Sequence, residues 1–282
     1  MIVKPYPLDN DHELAGEHHD ALAEALDPAT VARLRGVRPD WTGAACLEVG
    51  AGGGSIARYL ADQVGATGRV VALDLKPQHI PDHPRMTVVQ HDLCSDEPLP
   101  AGPWDLIHAR LVLCHLPARE TILRRLAQVL APGGVILTED WETMIDSGVV
   151  VAAPTADDAA LYQRYQSVIG PKVFGAAGTD RRWARRAPVA MRQAGLVSVE
   201  TSISAEIWAG GGRGTRMVHA VTYELEAALV AAGFPAEDLA PLRALLTDPR
   251  LLIHGHPRFS TSGWRPLEPD ATAATWSSVY EA

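Results

Sequence analysis

An acidic residue, four glycines and a serine stand in one short run, Glu48-Val49-Gly50-Ala51-Gly52-Gly53-Gly54-Ser55. Glycine adopts backbone angles that other residues avoid and has no side chain to hold a ligand off, so main-chain N–H groups come close to a bound molecule. A helix opening at Ser55 would turn its unpaired first N–H groups toward the same place. A dinucleotide site calls for Gly-x-Gly-x-x-Gly, so that a pyrophosphate meets the helix N-terminus. Here the glycines fall at Gly50, Gly52 and Gly54, Ser55 follows, and the charge of Glu48 would repel a pyrophosphate. The run suits a ligand that carries an amino cation and no phosphate; a purely structural glycine turn is the alternative.

Other residues able to do chemistry follow at set intervals. Asp74 ends an apolar run twenty residues past Gly54, where a carboxylate at a strand tip accepts hydrogen bonds from ribose hydroxyls or else caps the next turn. His115, just beyond the run 104–110, is a candidate general base, with packing or helix capping as its other reading. His108 within that run is the weaker candidate, because its ring points toward sheet packing. Trp141, in Glu139-Asp140-Trp141-Glu142, can stack on an aromatic substrate, face a cation, or anchor a neighbouring segment. Tyr6, Phe174, Trp208, His254 and His256 are secondary pocket candidates, and His18-His19 reads as a solvated pair. The His, Cys, Asp and Glu residues lack metal-binding spacing, so metal-independent chemistry is expected.

These residues need a scaffold that brings strand ends together. Residues 44–49, 69–74, 86–90, 104–110 and 135–138 read as buried strands, and 55–64 and 117–130 as amphipathic helices between them. Strands alternating with helices make a parallel sheet whose ligands bind beyond the strands' carboxyl ends. Two helices, 12–26 and 27–36, are expected before the first strand, with Asp27-Pro28 opening the second; they either cap the ligand or add packing. Residues 155–169 read as a helix, 179–195 as another, 196–208 as a sixth strand, 215–232 and 236–246 as helices, and 256–264 as an antiparallel last strand. The arginines 181, 182, 185 and 186 crowd a helix start, where cations oppose the dipole, so they call for carboxylate partners or an acidic ligand.

The order of glycine loop, acidic strand end, Trp104-Asp105-Leu106-Ile107 strand and Leu130-Ala131-Pro132-Gly133-Gly134 turn resembles the class I S-adenosylmethionine-dependent methyltransferases from about 45 to 141. Phrases such as Tyr6-Pro7-Leu8-Asp9-Asn10 and Gly178-Thr179-Asp180 are similar to actinobacterial-type small-molecule methyltransferases. The resemblance implies a Rossmann-like, doubly wound seven-stranded α/β sheet with an antiparallel last strand, N-terminal helices and a helical lid insertion. It divides the chain into a helical cap at 1–40, a cofactor-binding core at 41–141, a substrate lid at 142–178 and completion of the core sheet at 179–282. It implies S-adenosyl-L-methionine as cofactor, held by Glu48, Gly50, Gly52, Gly54, Asp74, Leu75, Asp92, Leu93 and Arg110, with Asp92 and Leu93 at the adenine. His115 and Trp141 are then the residues expected at the reacting methyl group.

Composition bounds the rest. With 282 residues, 47% hydrophobic and 21% charged, the chain can bury a substantial core. A net charge of −9 argues against nucleic acid, whose affinity rests on Lys and Arg neutralising phosphates. The expected partner is a small-molecule substrate, and a homodimer is left open. Three scattered cysteines and no apolar segment of membrane length suggest a cytoplasmic protein without membrane contact. The functional expectation is methyl transfer to a small organic acceptor, oxygen ahead of carbon or nitrogen. An NAD(P)-dependent oxidoreductase and a non-catalytic cofactor-binding partner are the competing readings.

Overall fold

The computed structural model describes residues 6–144 and 148–268. Among the described residues, ten strands form two sheets: β1 Ala45–Val49, β2 Arg69–Asp74, β3 Met86–Gln90, β4 Trp104–Arg110, β5 Leu130–Trp141, β6 Val150–Ala152, β7 Val197–Ser204, β8 Ile207–Ala209, β9 Leu252–His254 and β10 Arg258–Trp264. The larger sheet runs in the order β3-β2-β1-β4-β5-β10-β7, parallel from β3 to β5, with β10 antiparallel to β5. That is the mixed, doubly wound sheet expected from the sequence. The smaller sheet, β6-β9-β8, is antiparallel.

The helices are α1 Ala15–Val37, α2 Ser55–Gln63, α3 Arg119–Gln128, α4 Ala156–Val168, α5 Trp183–Gln193, α6 Arg213–Glu224, α7 Glu226–Ala231 and α8 Leu239–Thr247. The described residues segregate into two compact units. One holds Ala29–Trp141, Arg182–Ile203 and the chain from Arg258, and contains the seven-stranded sheet. The other holds the chain up to Pro28, Glu142–Arg181 and Ser204–Pro257, with the three-stranded sheet and most of the remaining helices.

The central strands β1, β4 and β5 bury both faces because they are apolar at successive positions. Leu47, Val49, Ile107 and Ile136 pack with Ile122, Leu123 and Leu126 of α3 and Trp183 and Met191 of α5. Cys46, Leu106, Val135 and Leu137, one residue out of phase, pack with Leu34 of α1 and Ile56 and Leu60 of α2. Period-two alternation thus assigns each strand position to one helical layer.

Several sequence expectations require correction. The two N-terminal helices are one, α1, which runs through Pro28. Proline removes one backbone donor and strains the preceding turn, but burial of Ala25, Leu26, Thr30 and Leu34 on both sides outweighs that loss. The expected sixth strand at 196–208 is two strands in different sheets: β7 ends at Ser204, and Trp208 lies on β8. Ser204–Pro257 accordingly groups with the second unit instead of returning to the core sheet. The helix expected to stop before Gly170-Pro171 continues as a π-helical stretch, Ile169–Phe174.

In the second unit, Trp208 is 9% exposed and its indole is bracketed by two glycines. A Cβ on Gly214 would lie 2.2 Å from the ring, and one on Gly255 2.5 Å from it. Overpacking a core typically costs about 1–3 kcal/mol, so Gly214→Ala is expected to destabilise the protein by that amount in urea unfolding. Unchanged stability would show that the ring can shift freely.

Candidate active site

The glycine loop leaves β1 with Gly50, Gly52 and Gly54 at φ +64°, +55° and +76°. A Cβ on Gly50 would meet Val112 Cγ2 at 2.4 Å, so this turn tolerates no side chain on two counts, strain and space. Helix α2 starts directly after it and buries Ile56, Ala57, Leu60 and Ala61. At the tip of β2, Asp74 closes the loop from the other side. Its Oδ2 accepts the Gly52 N–H at 2.8 Å and its Oδ1 accepts the Lys76 N–H at 2.9 Å. Burial raises the Asp74 pKa, and the backbone N–H groups of Lys76 and Gly52 oppose the shift. Leu75, just past the end of β2, is 56% exposed.

Beyond β3, Asp92 is exposed and accepts the Cys94 N–H at 2.8 Å, while Leu93 is 8% exposed and joins the core. Asp74, Leu75, Asp92 and Leu93 thus follow the C-terminal ends of two adjacent, paired strands, β2 and β3. The loop, both strand tips and Arg110 at the end of β4 belong to the same unit. Leu111, next to Arg110, has φ +56°, a costly angle for leucine that is found mostly at functional sites.

Glu48 does not face the loop. It is 4% exposed, and both its carboxylate oxygens accept from Nδ1 of His108, at 2.9 and 2.8 Å. Glu48 thus forms a buried ion pair within the sheet. The cause is register: Glu48 and His108 are paired neighbours on β1 and β4, on the α1/α2 face. His108 Nε2 lies 3.6 Å from Oε2 of Glu139 on β5, an ion pair too long for a hydrogen bond. Thr30 Oγ1 donates to Glu139 and accepts from Arg110 at 3.0 Å, and Arg258 stands 3.6 Å from Glu139.

Burial alone would lower the His108 pKa, but the adjacent carboxylates, Glu48 foremost, raise it to about 9. For Glu139 burial pulls upward, and His108, Arg258 and Thr30 overcome it, giving a value of about 2. Sequence reasoning placed Glu139 in an acidic cluster and missed Thr30, Arg258 and the link to His108. Strand alternation was the available signal, since Cys46 and Leu106 bury the same face two residues before Glu48 and His108.

His115 closes a 3-10 turn, Leu113–His115, after β4. Burial, with the Arg119 guanidinium adding to it, lowers its pKa to about 3. A neutral ring with so weak a basicity is poorly matched to proton abstraction near neutral pH. Trp141 is half-buried at the end of β5, opposite Arg258 in the ladder. Its neighbour Asp140 is buried, which raises its pKa to about 6 against the opposing pull of Cys114 and Trp183.

The secondary pocket candidates all fall in the second unit. Tyr6 and Phe174 meet there with ring centroids 6.4 Å apart. His256 is held neutral by burial and then by Arg181, with a pKa of about 4, whereas His254 is exposed and Trp208 is locked in its glycine slot. The His18-His19 pair is not solvated throughout: His18 is 7% exposed and lies 3.2 Å from Glu224. Arg186 pairs with Glu120 at 3.3 Å, a carboxylate partner of the kind its position demands. Among the described residues, no group of three His, Cys, Asp or Glu side chains is arranged to hold a metal ion, and no helix is long and apolar enough to cross a membrane.

The profile of a family described as "Methyltransferase domain" matches residues 12–201, more than half of the chain. The chain is 31% identical over 141 residues to methyltransferase str3 of Strobilurus tenacellus, covering 48% of this chain and 47% of that protein. It is 38% identical over 97 residues to methyltransferase str2 of the same organism, covering 33% and 34%. The matched region thus spans about half the length of the first relative and a third of the second. Among solved structures, a Bacillus halodurans C-125 protein assigned as a methyltransferase superposes with a TM-score of 0.50 at 18% identity, covering 84% of this chain and 99% of the other. At that identity the likeness speaks for the fold.

Proposed function

Since the chain belongs to the methyltransferase-domain family, we propose that it transfers the methyl group of S-adenosyl-L-methionine to a small organic acceptor, oxygen ahead of carbon or nitrogen. The observation that carries this reading is the closure of the glycine loop onto the tip of β2, where the Gly52 N–H meets Asp74 Oδ2 at 2.8 Å. It sets a carboxylate, an exposed aliphatic side chain at Leu75 and a bare main chain around one place, which suits a ribose and adenine without phosphates. Gly50, Gly52 and Gly54 let the donor approach the backbone, Asp74 holds the ribose hydroxyls, and Asp92 with Leu93 takes the adenine edge and face. When bound, the donor supplies an electrophilic methyl group on a cationic sulfur.

What this chain's residues then contribute is orientation. Holding two reactants in line recovers roughly 7–11 kcal/mol of barrier, more than the 10²–10⁴-fold that a general base adds. The low basicity of His115 favours an acceptor that ionises without help from the enzyme, such as a carboxylate or an acidic phenol. Trp141, at the end of β5, is the side chain we assign to the acceptor side of the methyl group, and Arg110, at the end of β4, stays with the cofactor.

Turnover of S-adenosyl-L-methionine to S-adenosylhomocysteine across a panel of small carboxylic acids, phenols and amines tests the reading. Methyl transfer to an oxygen is the expected product, and products confined to nitrogen or carbon would overturn the oxygen preference. His115→Ala is expected to change kcat/KM by less than about threefold, because a base this weak contributes little. A hundredfold fall would return His115 to the base role.

A further inference from the structure

The interior of the large sheet carries charge where apolar side chains would pack at lower cost. His108 of β4 and Glu139 of β5 are fully buried, and Glu48 of β1 is nearly so. The ring of His108 is faced by Glu48 from β1 through Nδ1 and by Glu139 from β5 beyond Nε2. Behind Glu139 stand Arg258 of β10 and Thr30 of α1, and Thr30 in turn accepts from Arg110 of β4. Desolvating such a cluster costs more than its internal attraction usually returns, so stability alone is a poor reason for its presence. A better reason lies in its position. Glu48 precedes Gly50 by two residues, and Gly50 lies against the Val112 side chain, just past β4, with no room for a Cβ between them.

We propose that His108 is a positioning residue for the glycine loop: its ring, on β4, clamps Glu48 of β1 on one side and Glu139 of β5 on the other, and thereby sets where the Gly50–Gly54 backbone meets the donor. Cofactor affinity then depends on the charge of a buried group on the α1/α2 face of the sheet. The inference rests on reading that loop as the S-adenosyl-L-methionine site. The carboxylates that keep the ring protonated at neutral pH are the same two that it orients, so on the alkaline side the clamp loosens as the ring loses its proton.

The test is calorimetric binding of S-adenosylhomocysteine to the wild type, to His108→Gln and to the double variant Glu48→Gln/His108→Leu, with melting temperatures measured alongside. His108→Gln is expected to raise Kd tenfold or more. The double variant, relieved of an unpaired buried charge on β1, is expected to regain melting temperature without regaining affinity. Affinity that returns together with melting temperature, or folded variants whose Kd stays within twofold of wild type, would overturn the proposal. The wild type supplies an arm that needs no variant: binding of 5′-methylthioadenosine, which has no amino group of its own to titrate, measured from pH 7 to 10 while NMR follows the His108 ring. Kd should rise as the ring deprotonates, and a flat Kd through that titration would overturn the clamp. Failure of the wild type to bind S-adenosylhomocysteine at all would instead sink the reading of the loop, and the inference with it.

Discussion

Asp74→Ala is expected to weaken S-adenosyl-L-methionine binding by at least about 100-fold, two charge-assisted hydrogen bonds at roughly 1.5–3 kcal/mol each being the source of the loss. The carboxylate accepts the Gly52 N–H on Oδ2 and the Lys76 N–H on Oδ1, and the Leu75 N–H adds to them, which fixes its plane. Two neighbouring ribose hydroxyls are the donors we assign to this carboxylate. Alanine removes both acceptors and also leaves the Gly52 N–H without its partner, so the loop loses its tie to β2. Asp74→Asn retains one acceptor and should lose less, about tenfold. Calorimetry reads both variants, and circular dichroism confirms that the sheet persists. A loss under threefold for the alanine variant would remove Asp74 from the binding site.

His108→Leu is expected to destabilise the fold by roughly 3–5 kcal/mol, because it leaves two buried carboxylates without the cation between them. Urea unfolding at pH 7 measures it. The pH dependence follows from the shifts of the two groups. The folded-state pKa of His108 is raised to about 9, so its contribution is complete below the ordinary histidine value and is lost as pH rises through about 9. Glu139 is depressed to about 2, so its contribution is complete above the ordinary carboxylate value and is lost as pH falls through about 2. The wild type should therefore hold a plateau between these limits. The leucine variant, with the histidine's proton uptake gone, should lack the alkaline fall. An alkaline limb unchanged in the variant would assign that limb to other groups.

The parts of this fold legible in the sequence are those set by local pattern. Strands β1 to β5, the glycine turn and the amphipathic α3 follow from apolar periodicity and from glycine's freedom at positive φ, and the strand ends carried Asp74 and Asp92 with them. What periodicity does not carry is partnership. Glu48 looked like a ligand group because its partner, His108, lies sixty residues away, and only the pairing of β1 with β4 brings the two together. Pro28 read as a helix start because its local preference is clear, yet burial along α1 overrode it. Trp208 read as the end of a core strand, since its apolar neighbours do not say which of two sheets they join. His115 had a suitable residue type at a suitable place, and the half-buried setting beside Arg119 that lowers its pKa is not visible in the local sequence. Residue type and spacing therefore point to the donor, whereas the acceptor depends on neighbours distant in the chain.

The most direct measurement is calorimetric titration of the wild-type chain with S-adenosylhomocysteine and, separately, with NAD and NADP. A loop that lacks dinucleotide spacing and closes on Asp74 should bind S-adenosylhomocysteine and neither dinucleotide. Binding of NAD or NADP without binding of S-adenosylhomocysteine would contradict the assignment of the donor site.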